Sequence, residues 1–314
     1  MIRPLLLDRI TRLGALAATL AFCLMHTGCG QGGGATRDEI IRVSRQSSSG
    51  TYEFFREHVL NKKDFKLGSR DMNGSKEVVE LVANTPGAIG YSGMGYNEPG
   101  KVKMLPVAAK KGEAAVAPTV ENTLSKKYPI ARSLLVYTLG EPQGEVKKFI
   151  DWTLSDAGQK LVQSTGYVPL PQEKHAAASA PATPAAGAAK TTIQIKGSDT
   201  MVNLAQAWAE DYRKVAPHVN VEVSGGGSGQ GIAALIKGTI EVCTASRNMK
   251  REEIEQAKKN TGKEPKEIVV GYDALAIYVH KNNPIQSISL EELAAIYAEG
   301  GTTMKWSQLA VPAK

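Results

Sequence analysis

Histidine and cysteine are scarce in this chain of 314 residues, and their scarcity excludes several chemistries. Three cysteines supply no disulfide framework and no CxxC pair of the kind that holds zinc. Five histidines, His26, His58, His175, His218 and His280, stand at no ligand spacing, so no metal site is expected. Aromatics make up 6% of the residues, and no dense Lys/Arg block is interleaved with them, which removes the usual signature of nucleic-acid binding. No GxxxxGK[ST] phosphate loop occurs, which argues against nucleotide hydrolysis. The apolar stretch 13–25 falls short of the roughly 20 residues that a bilayer-spanning helix needs. What remains is 42% hydrophobic and 22% charged, ordinary for a globular protein large enough for one large core or two medium ones. A net charge of +7 suits an anion binder without requiring one.

Arg3, Arg9 and Arg12 precede the 13–25 stretch, which has the length of a signal h-region. His26-Thr27-Gly28-Cys29 and a glycine-rich run follow. This resembles a bacterial lipoprotein processing site, where a cysteine after small residues is lipidated and becomes the new N-terminus. His26 departs from it, since leucine usually stands there. The expectation is a signal peptide at 1–28, lipidation at Cys29 and a flexible stalk at 29–37; the alternative is an ordinary secretory signal cut nearby. Either way the protein is expected to be exported to the cell envelope or periplasm. Cys243, alone in the apolar Ile240-Glu241-Val242-Cys243, reads as a small core residue.

Strand and helix patterns alternate from there, which argues for α/β layers with a substantially parallel sheet. Strands are expected at 37–43, 88–91, 103–108 and 133–137, with helices at 51–60, 77–84, 144–153 and 155–164, the last capped by Ser155. Residues 172–191 turn abruptly to alanine with Pro181 and Pro184 and read as a linker. Beyond it the pattern restarts. A strand at 192–195 leads to a helix at 201–215 with Met201, Leu204, Ala205, Trp208, Tyr212 and Val215 on one face. Strands follow at 219–223, 240–243, 267–270 and 275–279, and helices at 251–260 and 290–297.

Three Gly/Ser/Thr turns, at 47–51, 197–200 and 225–230, each carry a strand into a helix. The first unpaired N–H groups of a helix, at the positive end of its dipole, suit a bound anion. Arg45 beside the first turn suits a phosphate-like oxyanion best. The competing reading is plain helix capping, which each Ser or Thr also satisfies.

The segments KGSDTM, SGGGSGQGIAALIKG, ASRNM, YDALAIYVHKNNP, SRQSSSGTYEFF, PGAIGY and GYVPLP resemble the phosphate-binding substrate-binding proteins of bacterial phosphate ABC transporters. They span nearly all of 38–171 and 192–309. Their order is reversed: that family begins with the KGSDTM-like segment and ends with the GYVPLP-like one. The resemblance therefore implies a circularly permuted α/β fold of two lobes, each a mixed, mainly parallel sheet flanked by helices. Residues 38–171 would be the family's C-terminal half, 192–314 its N-terminal half, and the 172–191 linker would join its usual ends. One lobe would combine 98–171 with 192–274, the other 38–97 with 279–314. A chain closed on itself as a monomer is expected; exchange of halves in a dimer and a truncated tandem gene are the alternatives.

Carried over residue by residue, the phosphate ligands would be Arg45, Ser49, Gly50 and Thr51 on one wall. Asp199, Thr200, Met201 and Ser228 would form the other. Arg247 stands where many family members have an aspartate that accepts the proton of hydrogen phosphate. That puts discrimination against sulfate in doubt, and Asp199 is a candidate to take over as acceptor. Arg247 itself would be either a second anion ligand or an ion-pair partner. The implied function is non-enzymatic delivery of inorganic phosphate to permease subunits, from a lipid anchor on the membrane and with no cofactor. Receptors for other oxyanions, a sensor without transport, and a phosphatase on the same fold are the alternatives.

Overall fold

The computed structural model describes residues 38–175 and 190–309. The expected signal peptide, Cys29, the stalk and the middle of the linker lie outside the described residues. Among the described residues no helix is long and apolar enough to cross a membrane.

The chain opens with β1 (Ile41–Arg45), α1 (Gly50–His58), β2 (Arg70–Met72), α2 (Ser75–Ala83) and β3 (Ala88–Gly93). Then come β4 (Val102–Leu105), β5 (Val107–Ala108), α3 (Val120–Leu124), β6 (Ala131–Leu139), α4 (Gly144–Leu154) and α5 (Asp156–Ser164). After residue 190 follow β7 (Thr191–Gly197), α6 (Val202–Val215), β8 (Val219–Ser224), α7 (Ser228–Ile236), β9 (Val242–Ala245) and α8 (Arg251–Thr261). The series ends with β10 (Pro265–His280), β11 (Ile288–Ser289) and α9 (Leu290–Tyr297).

Helical spacing accounts for the docking of α6, whose Leu204, Ala205, Trp208 and Tyr212 are all buried. Val215, expected on that face, is 40% exposed at the last turn. Ser155 does precede α5, but its side chain makes no cap; its Oγ donates to the Trp152 carbonyl instead. The expected linker begins in order: 172–174 form a 3-10 turn, and His175 reaches Asp156 at 2.6 Å and the Leu170 carbonyl at 2.9 Å.

Nine strands share one curled sheet in the order β2-β1-β3-β10-β6-β9-β7-β8, with β4 also on β10. The pairs of β1 with β2 and β3, and of β7 with β8 and β9, are parallel. The centre is antiparallel, since β10 runs against β3, β4 and β6, and β6 against β9. The mainly parallel sheet expected for each lobe thus holds on the flanks, where strand–helix–strand crossovers force it. The two strands expected at 267–270 and 275–279 are one strand of 16 residues with an irregularity between Val269 and Gly271. Gly271 looks like a break in sequence, yet it lets the strand pass close to Val162 and the Val168 carbonyl.

β10 serves both halves of the sheet: 265–274 pair with β6, and 275–280 with β3 and β4. The cores follow this division. Phe55, Tyr91, Leu105, Tyr128, Ile130, Leu275 and Tyr297 pack on one side, and Leu134, Phe149, Ile195, Trp208 and Val270 on the other. The pairing of β10 changes partners between 274 and 275. Segment 98–131 joins the first half because β4 pairs with β10 and its apolar residues Leu105, Val107 and Ile130 are buried there. Asp38 meets the far end of the chain: its carbonyl accepts from Trp306 N (2.7 Å), and its carboxylate accepts from Ser307 N and Oγ (both 2.8 Å).

Candidate functional site

The three glycine-rich turns converge where the halves meet. Ser49 caps α1, its Oγ accepting from the amides of Thr51 (3.2 Å) and Tyr52 (3.4 Å). The helix begins at Gly50, directly opposite the start of α7. A Cβ at Gly50 would lie 2.3 Å from Ser228 Oγ and 2.7 Å from Ser246 Oγ, so glycine permits the two helix N-termini to meet. In the Gly225–Gly227 turn, Gly226 and Gly227 hold φ of 107° and 97°, a region that side chains disfavour. Gly227 also passes close to the Ser48 carbonyl, which accepts from Gly229 N at 2.9 Å. Gly50 and Ser228 are each the first residue of a helix, where no intrahelical acceptor exists for the amide.

Hydroxyls line the same place. Thr51 Oγ1 and Thr200 Oγ1 are 2.8 Å apart, and Ser228 Oγ accepts from Ser246 N at 3.1 Å. Ser49, Thr51, Thr200, Ser228 and Ser246 are all buried. Ser198 Oγ, also buried, has no hydrogen-bond partner among the described residues. Met201, expected as a backbone donor, gives its amide to the Ser198 carbonyl (3.0 Å) and buries its side chain in the second core. That amide is engaged within the turn.

Arg132 is the residue that sequence reasoning missed. It sits at the start of β6, in register with Asp273 of β10, where the sheet passes from one half to the other. Its guanidinium pairs with the Asp273 carboxylate at 2.8 Å, with both side chains no more than 1% exposed. Its outer nitrogens donate to Thr51 Oγ1 (3.1 Å) and Thr200 Oγ1 (3.3 Å), one hydroxyl from each half. The available signal was an arginine within the apolar 128–139 stretch, since a buried guanidinium requires a partner.

Arg45, expected as an anion ligand, is held among protein acceptors. It donates to the carbonyls of Met72 (3.3 Å) and Asn73 (2.8 Å), to Ser75 Oγ (2.9 Å) and to Asp199 Oδ2 (2.8 Å). Burial pulls it below its ordinary pKa, against Asp199, which raises it. Most of its donors are thus engaged within the protein, and it flanks the hydroxyl cluster. Asp199 ties the halves together, because its other oxygen accepts from Gly226 N at 2.7 Å. Tyr96 Oη donates to the Asp199 carbonyl at 2.7 Å, and burial pushes this phenol up to about 12. Arg247 is an ion-pair partner: both its terminal nitrogens lie 2.8 Å from Glu253. Burial opposes its charge, yet the Glu253 carboxylate raises its pKa above the ordinary value.

Among the described residues no cluster of His, Cys, Asp or Glu could hold a metal. A hollow of about 570 Å³ adjoins Arg132 between the halves. Neither it nor a larger one of about 810 Å³ beside His280 and Trp306 shares a residue with the three turns. Preorganised amides, hydroxyls and a guanidinium can hold an oxyanion without proton transfer.

A family model of the PBP superfamily domain matches residues 31–157 and 182–314. The chain is 29% identical over 285 residues to phosphate-binding protein PstS 2 of Streptococcus agalactiae, covering 88% of this chain and 89% of that protein. It is 39% identical over 131 residues to phosphate-binding protein PstS of Pseudomonas aeruginosa, covering 40% of each. The crystal structure of a phosphate-binding protein of a phosphate ABC transporter from Streptococcus pneumoniae superposes with a TM-score of 0.65 at 22% identity. It covers 87% of this chain and 100% of that one, a likeness of fold.

Proposed function

Because the chain belongs to the PBP superfamily domain family, we propose that it binds inorganic phosphate between the halves of its sheet and delivers it to ABC transporter permease subunits. The observation that carries this is the meeting of the α1 and α7 N-termini around Arg132, with Thr51 and Thr200 bridged by it. Helix N-termini supply oriented donors and a positive dipole end, and each hydrogen bond to a charged group contributes about 1.5–3 kcal/mol. Several of them offset the desolvation of a phosphate. The relatives named phosphate-binding proteins support the choice of anion.

The ligand set in this reading is Ser49, Gly50, Thr51, Thr200 and Ser228, with Arg132 positioning the two threonine hydroxyls and Arg45 and Asp199 as the latch that brings the walls together. Entry is by a hinge at β6 and β10, the strands that cross between the halves. The role in this reading is non-enzymatic, supported by the hydroxyls, which among the described residues bond to one another, to Arg132 and to backbone and to no histidine or carboxylate. The chain is a closed circular permutant and a monomer, a reading supported by the reversed motif order and by the bonds of Asp38 to Trp306 and Ser307. Export and a lipid anchor at Cys29 complete it.

Calorimetric titration with phosphate, sulfate and arsenate tests the proposal. Saturable heat with phosphate is expected, and no heat with any of the three would falsify it. Gel filtration with light scattering tests closure, since a stable dimer would indicate exchanged halves.

A further inference from the structure

Glu53 stands on the first turn of α1, three residues past the Gly50 amide that the proposed function offers to the anion. A carboxylate there is itself an anion at the positive end of the helix, and it takes up part of the field that a bound phosphate would use. Unpaired, it would oppose binding. Lys250 Nζ, at the entry of α8 in the other half of the sheet, donates to Glu53 Oε1 at 2.6 Å. The Glu53 side chain is 14% exposed and that of Lys250 40%, which sets the pair at the edge of the junction.

The neighbouring cations do not stand in for Lys250. Arg56, on the same helix as Glu53, pairs with Asp64. Arg247 is held by both oxygens of Glu253. Glu253 also accepts from the Lys250 amide at 2.8 Å, which fixes the start of α8 and with it the root of the lysine.

We infer that Lys250 is a positioning residue for anion binding: it reaches across from the other half to cancel Glu53, and it can do so only when the halves are together. Closure then adds an ion pair and removes a negative charge from beside the α1 N-terminus in the same movement. The inference rests on the reading of that N-terminus as an anion site and names the residue that frees its field for the ligand. The two charges differ in consequence. Loss of Lys250 removes the pair and leaves Glu53 opposing the anion, whereas loss of Glu53 removes the pair and the opposition together.

The test is calorimetric titration of the whole chain with inorganic phosphate, on the wild type, Lys250→Gln, Glu53→Gln and the double variant. Lys250→Gln should weaken phosphate about three- to tenfold, since it loses a partly exposed pair and restores a charge at the helix start. Glu53→Gln should change affinity by less than about twofold, because its two effects oppose each other. Adding it to Lys250→Gln should bring affinity back to within about twofold of wild type, a recovery that a purely structural lysine would not show. Glu53→Asp keeps the charge but draws it back from Lys250, so it should bind phosphate more weakly than Glu53→Gln does. That comparison decides the matter if Lys250→Gln fails to fold. Phosphate binding that Lys250→Gln leaves unaltered overturns this inference and leaves the phosphate reading standing. So does a double variant as weak as Lys250→Gln, or Glu53→Asp binding no more weakly than Glu53→Gln. A wild type silent with phosphate removes both.

Discussion

Gly50→Ala separates closure of the cleft from the chemistry of the site. The added methyl leaves the Gly50 amide in place and sits at a helix start, where alanine costs the free helix little. Its cost falls on the contact between halves, because the new Cβ would meet Ser228 Oγ at 2.3 Å, Ser246 Oγ at 2.7 Å and Ser228 Cβ at 2.9 Å. Ser228 Oγ can rotate away, but its Cβ moves only with the start of α7. Inserting a methyl into packed surroundings typically costs about 1–3 kcal/mol. If the open arrangement is free of the clash, that cost is borne only by the closed one. Phosphate affinity should then fall about 5–150-fold. Titration calorimetry measures the fall, and small-angle scattering should show less compaction on adding phosphate. Thermal unfolding without ligand checks that each half remains folded. An affinity within twofold of wild type, with normal compaction, would refute the placement of the two helix starts.

Arg132→Met leaves Asp273 buried without its partner and should lower unfolding free energy by about 3–5 kcal/mol in urea titrations. Adding Asp273→Leu should recover most of that loss, and no recovery would mean that the pair is not the source. Asp199→Asn keeps the Gly226 bond but weakens the hold on Arg45 (2.8 Å in the wild type), so phosphate should bind about 5–150-fold more weakly. If the phosphate-to-sulfate ratio is unchanged, Asp199 does not serve as the proton acceptor. His175 is held above its ordinary pKa, first by its bond to Asp156, and an NMR titration should place it above about 6.5. Its contribution is complete below the unfolded value and fades as pH rises through the folded one; Asp156→Asn should remove most of the shift, leaving the smaller contributions of the Leu170 carbonyl and Glu173.

The parts of the fold visible in sequence are those that local chemistry dictates. The turns at 47–51, 197–200 and 225–230 were legible because only small and hydroxylated residues suit a strand that becomes a helix start within a few residues. The amphipathic α6 was legible from its spacing, apart from Val215 at its frayed end. Long-range pairing was not. β10 reads as two strands because Gly271 and the polar Asp273 interrupt its apolar pattern, yet the interruption marks the crossing between halves. Nor do the apolar residues of segment 98–131 state in sequence which core they enter; Leu105, Val107 and Ile130 pack with Phe55 and Tyr91. Arg132 lies 81 residues from Thr51 and 68 from Thr200, so its role depends on topology alone. Short exposed β2 has almost no apolar face to reveal it.

Charge at the cleft is balanced pair by pair: Arg45 with Asp199, Arg132 with Asp273, and Arg247 with Glu253. An entering anion therefore meets oriented N–H and O–H groups rather than an excess of bare positive charge at the floor. The same balance holds at Arg247. An unpaired guanidinium at residue 247 would reverse the local field. Glu253, on the first turn of α8, grips Arg247 with both oxygens and also accepts from Lys250 N at 2.8 Å. Burial raises the Glu253 carboxyl, but these bonds prevail and hold it below its ordinary value, so the pair stays ionised at neutral pH. The charge is thereby neutralised where it arises. Asp199 spends its carboxylate in the same way, one oxygen on Arg45 and the other on Gly226 N.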